Sequence, residues 1–454
     1  MMLPSPRIIA IDDEPKHLDG LAKSLNQYGA ACLQIHFTGD ITAIKACPHV
    51  RVIFADLHLQ ESGAASDHAQ HFGLIGSLIE GTITPSGPYV LILWTKYPDQ
   101  ANALQQFLEQ RLEGVSKPLS VVAIDKMTHL SPDGDVKSIE DLVAAIVSII
   151  SRQPQIAAVL NWEERVLGAA ADTVSSLVKL AESVAAPAGC ATELGRLLAR
   201  LAVEGVGQEH VERDRFHAVN EALLPILADR IAALRSRDGD VETWKNAFSN
   251  EDVHGALSLD EASKLNRLLH VAPATDANTG AERGAVIPLP DAMSGERFEE
   301  TFSLSPQTAV ETQFFGSGYV AGDAQFRWVL LQSQAACDYA QRQPGPLPFY
   351  LGLDMEVSKA KKGTPPAALW TSPPFELEGK VRLLRVNARF QVSLPLNSAE
   401  AVKPIYRLRD QLLADLINHV HTYSARPGMI SFRERKAKQQ AAVVQPKPNG
   451  AAGP

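Results

Sequence analysis

The first 130 residues repeat one pattern: a short apolar run, polar residues at its end, then an amphipathic stretch. The run 7–11 is followed by Asp12, Asp13 and Glu14, and the run 50–55 by Asp56. The run 89–94 is followed by Thr95, and the run 119–124 by Asp125 and Lys126. Between them, residues 15–28 carry Leu18, Leu21 and Leu25 at helical spacing, and residues 100–112 have a similar pattern. Runs that are apolar throughout, rather than alternating, belong to strands buried on both faces. Strands of that kind, separated by helices, form a parallel sheet. A helix over 138–151 closes this first domain, 1–152.

The texture then changes twice. Residues 153–271 read as helical, with Trp162, Val166, Ala169, Thr173, Leu177 and Leu180 at i+3/i+4 spacing. Ser258-Leu259-Asp260-Glu261 is a capping box that opens a helix. Trp162 reads as packed on the core, and the whole region as a surface for a protein partner. Residues 272–289, rich in small residues, Pro and Gly, read as a linker. Residues 290–432 read as a β-rich domain with strands over 326–331, 349–353, 381–386 and 388–394 and a terminal helix over 405–423. Residues 433–454 form a basic, disordered tail: Arg433, Arg435, Lys436, Lys438 and Lys447 face only Glu434.

With 43 Lys+Arg against 52 Asp+Glu, the formal net charge is −9, and 45% of residues are hydrophobic. That composition fits a soluble globular chain and argues against coating nucleic acid or a membrane surface. No apolar run approaches the ~18–20 residues of a membrane span. The first residues lack the features of a signal peptide. Cys32, Cys47, Cys190 and Cys337 are far apart and form no CxxC, which argues against a zinc ribbon or a disulfide framework. The expectation is a cytoplasmic protein.

The residues at the strand ends carry the chemistry. In an open parallel sheet, ligands bind outside the carboxyl ends of the strands. Asp12, Asp13, Asp56, Thr95 and Lys126 are therefore expected to converge. Carboxylates a few ångströms apart repel one another unless a hard cation joins them, and Mg²⁺ suits such oxygen ligands. A carboxylate in that setting can attack phosphorus, while an ammonium neutralises the transferring oxygens.

Residues 7–130 resemble the receiver domain of response regulators. The likeness is carried by Ile11-Asp12-Asp13-Glu14-Pro15, by Phe54-Ala55-Asp56-Leu57-His58-Leu59 with Gly63, by Leu93-Trp94-Thr95 and by Ile124-Asp125-Lys126. It implies a flavodoxin-like doubly wound α/β sheet. It also implies Mg²⁺ on Asp12, Asp13 and Asp56, phosphoryl acceptance at Asp56, a switch hydroxyl at Thr95 and a phosphate-facing Lys126. The donor would be a histidine kinase or kinase-like ATPase. The chain departs from the family in the long segment between Asp56 and Thr95, and in Gln60, Ala123 and Met127. This divergent form is similar to receivers associated with phage defence.

Two rivals are of other classes. One is an adaptor with a degenerate receiver, acting by protein contact. The other is an effector enzyme using Cys337, with Asp354, His419 and His421 in the same stretch of chain. Cys337 itself reads as a buried structural cysteine. His68 and His71, beside Asp67, lie three apart on a helix as a metal face would place them, but no further ligand has a matching spacing, so the pair reads as a solvated face. No Walker loop, GxGxxG or HExxH is present.

Overall fold

A computed structural model describes residues 5–41, 44–59, 68–184, 189–316, 325–357 and 365–426. Residues Gln60, Gly63 and Asp67 and the basic tail 433–454 lie outside the described residues. The chain divides into two compact units, Met1–Ala256 and Leu257–Pro454.

The first unit opens with five strands: β1 (Ile8–Asp12), β2 (Cys32–His36), β3 (Val52–Ala55), β4 (Val90–Thr95) and β5 (Ser120–Asp125). All pairs are parallel and the order is β2-β1-β3-β4-β5. The helices are α1 (Pro15–Gln27), α2 (His68–Leu78), α3 (Ala101–Arg111), a one-turn α4 (Lys126–His129) and α5 (Ile139–Ser151). Successive strand residues face opposite ways, so each apolar run feeds two cores. Ile9, Ile11, Ile53, Leu91 and Leu93 pack with Phe72 and Ile75 of α2 and Leu104 and Leu108 of α3. Ala10, Val52, Phe54, Ile92 and Trp94 pack with Leu18, Leu21 and Leu25 of α1 and Leu142 of α5. Each fully buried Leu or Ile contributes about 1.5–3 kcal/mol. The sheet is therefore covered on both faces, as the unbroken apolar runs require.

The edge strand β2 escaped the sequence reading. Its residues are half-buried or exposed, so it lacks the continuous apolar run of its neighbours. The chain runs from β1 out to β2 and returns past β1 to β3. The connections thus reverse direction between β1 and β3, the place where doubly wound sheets hold ligands.

At the opposite end of the sheet, the long helix α6 (Pro154–Val184) is tied down through Glu163. Arg51 Nε donates to Glu163 Oε2 (2.8 Å) and Arg51 Nη2 to Oε1 (3.0 Å), while Arg7 Nη1 lies 2.8 Å from Oε1. The Arg51 hydrogen bond and charge hold the Glu163 carboxyl below its ordinary range, against the opposing effect of burial. Such a depressed acid adds stability above its unfolded pKa, and the gain is lost as pH falls through the folded value. Glu163→Ala is expected to cost about 1–3 kcal/mol in urea unfolding at neutral pH, with less loss in acid.

Beyond α6 come α7 (Cys190–Val206), α8 (Gln208–Val211), α9 (Arg215–Ala232), α10 (Asp240–Ala247) and α11 (Asn250–His254). Helices α6, α7 and α9 pack on one another. Asp240, at the start of α10, accepts from Asn161 Nδ2 (3.0 Å) and Arg165 Nη1 (2.6 Å) of α6. Trp162 does not pack on the core: it is 55% exposed, and Phe216 is 83% exposed. Apolar periodicity located these helices, but it cannot say whether an apolar residue is covered.

In the second unit, α12 (Leu259–His270) starts at the expected capping box: Ser258 and Glu261 bond each other's backbone N–H. It leads directly into an antiparallel sheet of β6 (Val271–Pro273), β7 (Ala285–Pro288), β8 (Phe326–Gln332), β9 (Leu347–Glu356), β10 (Leu369–Thr371), β11 (Phe375–Leu377), β12 (Lys380–Leu394) and β13 (Tyr406–Leu408). The order is β10-β12-β9-β8-β7-β13-β6, with β11 on β12.

Three sequence expectations are corrected here. The stretch 272–289 is not a linker, because it carries most of β6 and all of β7. Its small residues serve close approach: a Cβ on Gly284 (φ +81°) would sit 2.5 Å from the Leu408 carbonyl oxygen. The strands expected over 381–386 and 388–394 are one strand, β12, whose pairing with β9 shifts register between Val386 and Gln391. The expected helix 405–423 begins with β13, and only Asp410–Ser424 is helical.

Candidate functional site

The carboxyl ends of β1, β3 and β5 bring the acids together. Asp12 is the last residue of β1, and Asp13 follows it. Asp56 comes directly after β3, where its N–H bonds the Ile11 carbonyl (2.9 Å) and locks the two strand ends side by side. One oxygen from each of Asp12, Asp13 and Asp56 lies within 4.8 Å of the others. Lys126 enters from β5. Asp125 caps α4 by accepting from the Met127 N–H (2.9 Å), so the chain turns helical at Lys126. That turn buries the lysine to 1% exposure. Its Nζ donates to Asp12 Oδ2 (2.5 Å) and to Asp56 Oδ2 (2.8 Å).

The electrostatics divide the two neighbouring acids. Burial pushes the Asp12 carboxyl up. His17, the Lys126 charge and hydrogen bond, and the Glu14 N–H (3.0 Å) together outweigh it and hold Asp12 below its ordinary value. Asp13 goes the other way: burial raises it first, and the charges of Asp12 and Asp56 raise it further. A cation among the three would relieve that repulsion. A raised carboxyl adds stability only at low pH, and the gain is lost as pH rises through its folded pKa. Asp13→Asn is therefore expected to raise the metal-free melting temperature at pH 7 by about 2–4 °C, the shift that roughly 1 kcal/mol makes in a unit of this size.

Thr95 ends β4 and is fully buried. Its hydroxyl accepts from the Tyr97 N–H (3.3 Å), and the structure shows no hydrogen bond between it and a carboxylate. Two contributors were missed in the sequence. His17, on the first turn of α1, stands 3.5 Å from Lys126 Nζ and 3.8 Å from Asp12 Oδ1. Helical side chains lean toward the N-terminus, so a histidine five residues past Asp12 was a readable signal. His36, at the end of β2, reaches the Asp13 carbonyl through Nε2 (2.9 Å), and the missed strand hid it.

No protein family, curated protein or solved structure matches the chain.

The other candidates separate clearly. Cys337 is exposed, not buried, and its Sγ lies 3.5 Å from Asp338 Oδ1. Asp354 is fully buried between β-strand arginines: Arg327 Nε (2.7 Å) and Arg382 Nε (2.8 Å) both donate to it. His419 and His421 lie on the terminal helix. No thiol–imidazole pair forms at Cys337 among the described residues. His71 is buried rather than on a solvated face. Among the described residues no single helix is long and apolar enough to cross a membrane, and α5 with α6 is bent by 102°.

Proposed function

We propose that the parallel sheet is a phosphoacceptor module of the response-regulator receiver type, with Asp56 as the acceptor. The observation that carries this reading is the convergence of Asp12, Asp13 and Asp56 within 4.8 Å at the reversal point of the sheet, with Lys126 Nζ 2.8 Å from Asp56. Asp12, Asp13 and Asp56 would hold Mg²⁺, which neutralises charge on the transferring oxygens. An oxygen of Asp56 attacks the phosphorus of a phosphohistidine. The P–N bond breaks as the P–O bond forms, and its electron pair returns to the donor imidazole. Lys126 offers its ammonium to the same oxygens. The donor is a histidine kinase or kinase-like ATPase, the exposed apolar residues of α6 and α9 serve partner docking, and the second unit reads the state.

Three carboxylates make a donor set suited to a hard cation. The donor set is all carboxylate, and Asp13 is strained by like charge. The melting temperature is expected to rise with millimolar Mg²⁺ in the wild type and to stay unchanged in Asp13→Asn, as thermal unfolding followed by circular dichroism will show. Phosphoryl uptake itself is tested by intact mass after treatment with acetyl phosphate and Mg²⁺.

A second reading is favoured by one contact. Lys126 already bonds both Asp12 and Asp56, so an adaptor whose cluster is neutralised by lysine alone needs no metal. It predicts no Mg²⁺ effect on stability and no phosphoryl adduct.

A further inference from the structure

Beside the acidic cluster, the fold brings together three histidines from two segments of chain. His58 follows β3. His68 opens α2, and His71 lies one turn later on the same helix. His58 Nε2 and His68 Nδ1 stand 3.3 Å apart. That spacing is within reach of an N–H···N hydrogen bond. It matches the roughly 3.3–3.4 Å that separates two imidazole nitrogens bound at about 2.0–2.1 Å to one tetrahedral zinc ion.

The rings are held by packing. The centroids of His71 and Tyr97 lie 4.1 Å and 4.5 Å from that of His58, and Tyr97 also sits 5.5 Å from His68. Phe72 stacks on His68 at 6.4 Å. Aromatic rings thus pack against both imidazoles, as the outer shell of a metal site does.

We infer that His58 and His68 form a binding site for a borderline-soft divalent transition-metal ion such as Zn²⁺, separate from the carboxylate cluster. The ligand chemistry divides the two sites: imidazole nitrogen suits zinc, and a set of three carboxylates suits magnesium. Two protein ligands leave coordination positions open to water or to an incoming group. The ion would hold the start of α2 beside the residues that follow β3, Asp56 among them. The inference does not depend on phosphoryl transfer, and either can fail without the other.

The test uses the tag-free full chain with Mg²⁺ in excess, titrated calorimetrically with Zn²⁺ alone. One Zn²⁺ per chain is expected for the wild type and for Asp56→Asn. His68→Ala should weaken binding by more than about 100-fold, beyond what loss of an outer-shell partner costs. His68 is the first residue of α2 and only half-buried, so the substitution leaves the core intact. As a second readout, Co²⁺ in the wild type should give the intense visible bands of a tetrahedral site, absent in His68→Ala. Zn²⁺ binding equal in wild type and His68→Ala, or none in the wild type, overturns the assignment.

Discussion

Phosphoryl uptake is expected to vanish in Asp56→Asn. Incubated with acetyl phosphate and Mg²⁺, the wild type should gain the mass of one phosphoryl group, and the variant none. The adduct should be labile to hydroxylamine, as an acyl phosphate is. Asparagine is nearly isosteric with aspartate and can still accept from Lys126, so the local fold survives. What it lacks is a second anionic oxygen to act as nucleophile. A loss of about 10³-fold or more in initial rate is the expected scale for removal of the nucleophile. Equal labelling of wild type and variant would remove Asp56 from the acceptor's role. Labelling of neither would favour the adaptor reading. Beryllofluoride, which mimics the phosphoryl group, should perturb the wild type alone.

The residues that make this experiment worth doing were legible because strand ends are legible. An apolar run marks a strand buried on both faces, and the polar residue that stops it marks the strand's carboxyl end. Asp12, Asp56 and Lys126 could thus be assigned to one crevice without any contact being known. The same reasoning failed for β2, an edge strand whose exposure removes the apolar run. It failed for β6, β7 and β13, strands of three or four residues that carry too little pattern to register. There, Gly280 and Gly284 were read as loop signals, although both allow backbone to pack on backbone. His17 and His58 escaped for a different reason. Each sits within a few residues of a recognised acid, but its role depends on a side chain reaching back across a turn or on a partner ten positions away. Periodicity reports which face a residue occupies. It does not report which polar atoms meet there.

Lys126 carries the second large expectation. Lys126→Met is predicted to destabilise the first unit by about 3–5 kcal/mol at pH 7, the cost of leaving one partner of a buried ion pair uncompensated. Asp12 is fully buried, and without Lys126 only His17 and the Glu14 N–H oppose its desolvation. The sign with pH follows. In the wild type the Asp12 carboxyl is depressed, so it adds stability above its unfolded pKa, and the gain disappears as pH falls through the folded value. Removing the lysine takes away two of the influences that oppose burial and so lifts the Asp12 pKa, and the variant binds a proton there before the wild type does. The stability gap between the two should therefore shrink from pH 7 to pH 4 in urea unfolding. Mg²⁺ should shrink it at constant pH, because a dication replaces the missing ammonium. A gap that ignores both protons and Mg²⁺ would mean that Lys126 acts by filling space, and the coupling of ammonium, carboxylates and metal that underlies the phosphoacceptor proposal would be lost with it.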